Sequence, residues 1–328
     1  MFFIGIDVSK AKLDCSLLLD VASGKRKSKS VANSKSGIAD LLAWCAKQLI
    51  APAGLHAIME GTGAYHEQAA LALFDSNVTV SITNPAHVKQ FGRSLGIRTK
   101  TDGVDSFILA KYGALISPKP WRPPASEARE LQALLARRDA VSQDLQRERN
   151  RLEKTEVTEV SPLIHQSILD TVAFMEQQLA KLEDSIDQHI NKHLNLKEDR
   201  DLLTSIPAVG PQVGNQMLSL LHNLSFRSAE QFASYLGLVP VERQSGSSIK
   251  GRPRLSKNGP AHIRAKLYMA AIVATRHNPH LKALYQRLQA NGKSKMSALG
   301  AVMRKLAHIC FGVLKTRIPY QLDYAVSY

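Results

Sequence analysis

Ile4-Gly5-Ile6-Asp7-Val8-Ser9-Lys10 is a short apolar run that ends on an acid. The run predicts a half-buried strand from Phe2 to Asp7, and a carboxylate at the end of such a strand is costly unless it is paired or metal-bound. Leu13 to Leu19 and a more polar run from Ser28 to Ala32 follow as further strands, so three consecutive strands suggest an antiparallel meander. Beyond them Gly37 to Ile50 reads as an amphipathic helix, Leu55 to Met59 as a strand, Ala64 to Phe74 as a helix and Val78 to Ile82 as a strand, with a helix after Asp102. Strands first hairpinned and then alternating with helices give a mixed α/β sheet covered by helices.

Two more acidic stretches share the pattern of Asp7. Glu60 ends a strand in Ile58-Met59-Glu60-Gly61-Thr62-Gly63, and Asp102 and Asp105 stand three residues apart at a helix start in Lys100-Thr101-Asp102-Gly103-Val104-Asp105. Taken singly, Asp102 reads as a helix cap, Glu60 as a loop acid and Asp7 as a turn acid. Their joint order is that of a ribonuclease-H-like nuclease core, where four carboxylates hold hard cations such as Mg²⁺ or Mn²⁺. Two such ions about 4 Å apart activate a nucleophile and steady a leaving oxygen. An actin-like sugar kinase also opens on Gly-Ile-Asp, but it needs Gly-rich phosphate loops, which Val8-Ser9-Lys10-Ala11-Lys12 lacks.

Pro118, Pro120, Pro123 and Pro124 mark a boundary. After it Leu131, Leu134, Val141, Leu145 and Leu152 keep a three-four spacing, resumed after Pro162 by Ile168, Val172, Met175, Leu179, Leu182 and Ile186. Two such helices can pair as a hairpin or meet copies of themselves. Ser205-Ile206-Pro207-Ala208-Val209-Gly210-Pro211-Gln212-Val213-Gly214 then looks like either a helix-hairpin-helix, whose backbone amides hold phosphate, or a plain Gly-Pro turn. A Gly, Ser and Arg-rich stretch from Gln244 to Gly259 leads to helices over Ala261 to Ala274 and Ser294 to Lys315. The expected domains are residues 1–117, 118–196 and 197–328.

The chain has 328 residues, 44% hydrophobic, and a formal net charge of +15, which favours a polyanionic partner. Arg243, Lys250, Arg252, Arg254, Lys257, Arg264 and Lys266 crowd a segment with one acid, Glu242. Arg243, Lys250, Arg252, Arg254, Lys257 and Arg264, with Lys100 beside the acid pair, are the expected nucleic-acid-binding side chains. Cys15, Cys45 and Cys310 form no disulfide or zinc pattern and read as buried thiols. Apolar stretches broken by charge and the absence of a leader pattern predict a cytoplasmic protein with no membrane span.

These motifs together resemble the DEDD transposases of the insertion sequence one-ten family. The resemblance runs from Gly5-Ile6-Asp7 through Glu60-Gly61-Thr62-Gly63, Asn84-Pro85 and Lys100-Thr101-Asp102-x-x-Asp105 to Gly237-Leu238-Val239-Pro240, Ser245-Gly246-Ser247-Ser248 and Met303-Arg304-Lys305-Leu306-Ala307. It implies an N-terminal domain similar to the Holliday junction resolvase RuvC, a coiled-coil arm and a C-terminal transposase domain with a nucleophilic serine. It further implies a structured noncoding guide RNA, donor and target DNA, and a homo-oligomer. The serine carried over is Ser245; its Gly-rich surroundings leave Ser247 and Ser248 equally open on chemistry alone. Without a covalent serine the same acids would make a junction-cutting nuclease that uses water.

Overall fold

In the computed structural model the first three runs form β1 (Phe2–Val8), β2 (Lys12–Leu18) and β3 (Arg26–Ala32), an antiparallel meander. Two more strands, β4 (Leu55–Glu60) and β5 (Thr79–Thr83), run parallel to β1, giving the order β3-β2-β1-β4-β5. That order, with one hairpinned half and one parallel half, is the ribonuclease-H-like arrangement expected from the sequence. The structure describes residues 1–61, 63, 65–97, 99, 101–157, 161–242, 244–245, 249–250 and 253–322. They fall into two units, Met1–Pro123 and Pro124–Tyr328.

Strand alternation sorts the first unit into two layers. Ile4, Ile6, Leu13, Cys15, Leu17, Ala57, Met59 and Val80 form one core with residues of α1 (Lys35–Ala46) and α2 (Tyr65–Asp75). The opposite face receives α4 (Asp102–Ile116), whose Ile108 and Leu109 meet Ile58, while α3 (Pro85–Ser94) adds Val88. Two glycines let α4 approach so closely. A Cβ on Gly5 would stand 1.9 Å from the Ser106 carbonyl oxygen, and one on Gly113 would stand 2.4 Å from the Ile58 side chain. The hydroxyls of Ser16 and Ser106, 2.9 Å apart, pin the helix across β2.

Some boundaries differ from the sequence expectation for identifiable reasons. Ser34 caps α1 by accepting from the Gly37 amide, so the helix starts earlier, and Leu49 at φ 62° turns the chain before Ile50. The helix α3, absent from the sequence expectation, carries Val88 and Phe91, with Leu95 at its C-cap, at helical spacing. Its start signal was Asn84, which accepts from the Ala86 amide, followed by Pro85 at the first helical position.

The second unit is helical. An antiparallel hairpin, α5 (Ser126–Val157) and α6 (Pro162–Lys192), is tied by His189 donating to the Glu127 carbonyl at 2.8 Å and by Arg149 pairing with Glu176 at 2.7 Å. Leu131, Leu135, Ile186 and Ile190 root the hairpin in a core shared with α7 (Leu194–Thr204), α8 (Pro211–Asn223), α9 (Ala229–Tyr235), α10 (Ala261–His277), α11 (Pro279–Ala290) and α12 (Lys295–Thr316). Two short ladders join β6 (Pro240–Val241) to β9 (Arg254–Leu255) and β7 (Gln244–Ser245) to β8 (Ile249–Lys250). One helix, α12, is by length and composition apolar enough to cross a membrane; Arg304 and Lys305 interrupt it, and its Val302, Leu306 and Cys310 are buried in the core of this unit. All three cysteines are buried and free.

Candidate active site

The parallel register of β1 and β4 sets Ile6 opposite Met59. One residue further on, Asp7 and Glu60 therefore end neighbouring strands at the same edge of the sheet. Thr83 holds that edge, its hydroxyl donating to the Met59 carbonyl at 3.1 Å and its carbonyl accepting from the Gly61 amide at 3.1 Å. The close crossing of α4 over Gly5 brings the start of that helix to the same place. Thr101 caps it by accepting from the Val104 amide, and Asp102 and Asp105 lie in its first turn. Carboxylates there sit at the positive end of the helix dipole.

Asp7 registers this crowding. Its carboxyl is pushed above the ordinary range first by burial, then by the charges of Asp105, Asp102 and Asp14. Asp14 was missed in the sequence, where it is one polar residue in an alternating strand; the β1–β2 register places it directly opposite Asp7. Lys12 answers part of the negative charge. Its ammonium donates to Asp102 Oδ2 at 2.8 Å and pairs with Asp14 Oδ2 at 2.9 Å. The hydrogen bonds to those two acids hold Lys12 above the usual lysine range, and the bond from Lys12 holds Asp102 below the usual carboxylate range. The donors are oxygens, the chemistry that suits a hard divalent ion. Among the described residues no three His, Cys, Asp or Glu side chains are grouped so as to share one ion.

The serine and most of the basic residues belong to the second unit. Ser245 lies on β7, paired with Ile249, and Lys250 on β8, paired with Gln244. Lys100, Arg243 and Arg252 lie outside the described residues. Arg254, on β9 opposite Val241, and Lys257 are exposed. Arg264 donates to the carbonyls of Gly259 at 2.9 Å and Leu236 at 3.3 Å, so it buttresses the loop that carries Lys257. Lys266, one more cation of the basic segment, has its ammonium engaged by both oxygens of Asp139, at 2.7 Å each.

Comparison with known proteins adds to this geometry. Residues 4–159 match a family model for DEDD transposases of the IS110 type, and residues 200–286 match the model described as Transposase IS116/IS110/IS902 family. The pilin gene-inverting protein of Moraxella bovis is 32% identical over 320 residues, which is 97% of each chain. The chain belongs to the IS116/IS110/IS902 family of transposases. It is thus a DNA transposase or recombinase, and the first matched segment contains the four acids while the second contains Ser245. The IS110 protein of 43.6 kDa from Streptomyces coelicolor is 28% identical over 138 residues, 42% of this chain and 34% of that one. Among solved structures, RuvC of T. thermophilus with a Holliday junction substrate is 16% identical and covers 37% of this transposase and 99% of that chain, with a TM-score of 0.28.

Proposed function

We propose that this transposase cuts and rejoins DNA with Asp7, Glu60, Asp102 and Asp105 holding Mg²⁺ or Mn²⁺ and with Ser245 as the nucleophile. The observation that carries the metal reading is the register that ends β1 and β4 together on Asp7 and Glu60, with the first turn of α4 and its two acids brought to the same edge; burial and the neighbouring acid charges push the Asp7 carboxyl up, which a bound cation would relieve. Such an ion supplies charge stabilisation at the attacked phosphate. In this reading Asp7 and Glu60, at the ends of paired strands, and Asp102 and Asp105, in the first turn of α4, close on the ion as it displaces the Lys12 ammonium from Asp102. The serine hydroxyl forms a bond to phosphorus as one sugar oxygen leaves; its proton passes to a base and the departing oxygen takes up a proton. Reversal on a second strand reseals DNA without an external energy source.

In this reading the exposed Arg254 and Lys257 grip phosphate, and Lys100, Arg243, Lys250 and Arg252 are further nucleic-acid contacts expected from the sequence, while Arg264 supports the loop that carries Lys257. Family resemblance supports a structured guide RNA pairing with donor and target DNA. It also supports a coiled-coil role for the α5–α6 arm in a homo-oligomer. On α6, Phe174 is 60% exposed and Leu163 is 79% exposed, apolar surface suited to a second copy. Leu179, by contrast, lines the cleft between α5 and α6 within one chain. Light scattering of Phe174→Asp against the unaltered protein tests the assembly, and a monomeric unaltered protein with nucleic acid bound would refute it.

The deciding experiment pairs two variants. Asp102→Asn is expected to lose DNA cleavage while keeping its fold and nucleic-acid binding; full recombination by it would sink the acid site. Ser245→Ala is expected to bind DNA yet give no protein–DNA adduct on a denaturing gel. Recombination by that variant would leave the acids acting through water as the better account.

A further inference from the structure

We propose that the groove between α4 and the edge strand β3 is a rail for the backbone of the DNA strand whose scissile phosphate lies at the acid site. The register decides which side chains line it. Ser30 pairs with Asp14, Ser28 with Ser16 and Arg26 with Leu18. Since Ser16 bonds Ser106 of α4, the three β3 residues share the face on which α4 lies, and all three are exposed. From Ser30, beside Asp14, to Arg26 is four residues of strand, about 13 Å. A strand leaving the acids along this line meets two hydroxyls and then a guanidinium.

The far end of the groove is built around Phe107. The Arg26 guanidinium stands 3.9 Å from the centre of its ring and the Lys111 ammonium 5.4 Å from it, two cations against one aromatic ring. Gly24, at φ +71°, lets the β2–β3 turn press against them, since a Cβ there would come within 3.2 Å of Phe107. Among the described residues no carboxylate pairs with Arg26 or Lys111, and neither β3 nor α4 beyond Asp105 contains an acid. A stacked, orientationally fixed guanidinium is suited to phosphate oxygens.

Edge strands also carry cations simply to block pairing with other chains. The two faces of β3 separate these roles. Lys27 and Lys29 alternate with the rail residues, and their ammoniums are engaged by the Gln48 side chain and by the Asp40 carbonyl on the α1 side. Edge protection makes no distinction between the two faces, whereas a rail uses Arg26 and Lys111 alone.

The proposal rests on the acid site being the place of cleavage, so binding is measured apart from chemistry. A short fluorescent DNA duplex is titrated with the full chain carrying Asp102→Asn, across about 50 to 200 mM salt. Adding Arg26→Gln and Lys111→Gln is expected to weaken binding about tenfold and to make the salt slope shallower by about 0.9 for each phosphate that is no longer neutralised. Adding Lys27→Gln and Lys29→Gln removes the same charge from the other face and is expected to change affinity less than about twofold. Arg26→Lys with Lys111→Arg, which keeps both charges, is expected to retain the slope and guards against misfolding of the first pair. Equal losses from both faces, unchanged affinity, or a loss confined to an RNA probe would overturn the rail. Cleavage by Asp102→Asn would instead overturn the acid site and leave the binding ranking intact.

Discussion

Gly5 and Ser106 meet through bare backbone: a Cβ on Gly5 would lie 1.9 Å from the Ser106 carbonyl oxygen and 2.4 Å from the Ala110 amide nitrogen. The glycine in Gly5-Ile6-Asp7 is therefore a packing requirement of α4, the helix that carries Asp102 and Asp105. Gly5→Ala is expected to cost at least the roughly 1–3 kcal/mol typical of overpacking, because backbone cannot rotate away as a side chain can. Cleavage should fall further than the folded fraction, since α4 must shift away from Asp7. An alanine variant with an unchanged urea midpoint and full activity would show that the crossing is looser than described.

The layered sheet, and the positions of the four acids at strand ends and a helix start, were legible because both rest on short-range patterns. Strand alternation predicted which residues of β1 and β2 enter the core, and the strand ends located Asp7 and Glu60. Asp14 was not legible, because its meaning comes from the register that sets it opposite Asp7. Lys12 was hidden for the same reason: its partner Asp102 is ninety positions away along the chain. In the second unit, Lys266 looked like one more cation in a basic stretch, and only the packing of α10 near α5 revealed Asp139 as its counter-charge.

Asp7 makes a pH-dependent prediction. A carboxyl raised in the folded state holds its proton to higher pH than in the unfolded chain, so its contribution to stability is lost as pH rises through the folded value. Asp7→Asn, which never ionises, should therefore melt higher than the unaltered protein at neutral pH without divalent metal, by about 2–4 °C. The advantage should vanish once pH falls below the ordinary carboxylate range. Adding Mg²⁺ should raise the melting point of the unaltered protein and narrow the gap. An asparagine variant less stable at neutral pH would contradict the crowding around Asp7.

Lys12 occupies two carboxylates with its own charge. The exposed pair it makes with Asp102 contributes little to stability, as surface ion pairs do. Its larger effect is on cations, since an ion approaching Asp102 competes with the ammonium already bonded there. Lys12→Met should bind Mn²⁺ more tightly in calorimetric titration, by about threefold to tenfold, with a melting point changed by no more than about 2 °C. Weaker Mn²⁺ binding in this variant would mean that Lys12 positions the acids and does not compete for them.

Asp139 ties the base of the hairpin to the rest of the second unit. Its carboxylate, only 13% exposed, accepts from Lys266 at 2.7 Å, from Arg138 at 2.9 Å and from the Gln216 amide at 3.1 Å. These partners lie on α5, α8 and α10. Asp139→Ala would strand Arg138 and Lys266 in a low-dielectric site, a change that typically costs about 3–5 kcal/mol in urea unfolding. Burial already pulls Lys266 below the ordinary lysine range, with Asp139 opposing that pull. Without Asp139 the folded protein should release the Lys266 proton at lower pH than the unfolded chain does. Stability then rises with pH through that interval, so the deficit of the variant should shrink toward alkaline pH. Adding Lys266→Met to Asp139→Ala should recover part of the loss by removing one stranded charge. A deficit that neither shrinks with pH nor responds to Lys266→Met would locate the cost at Arg138 instead.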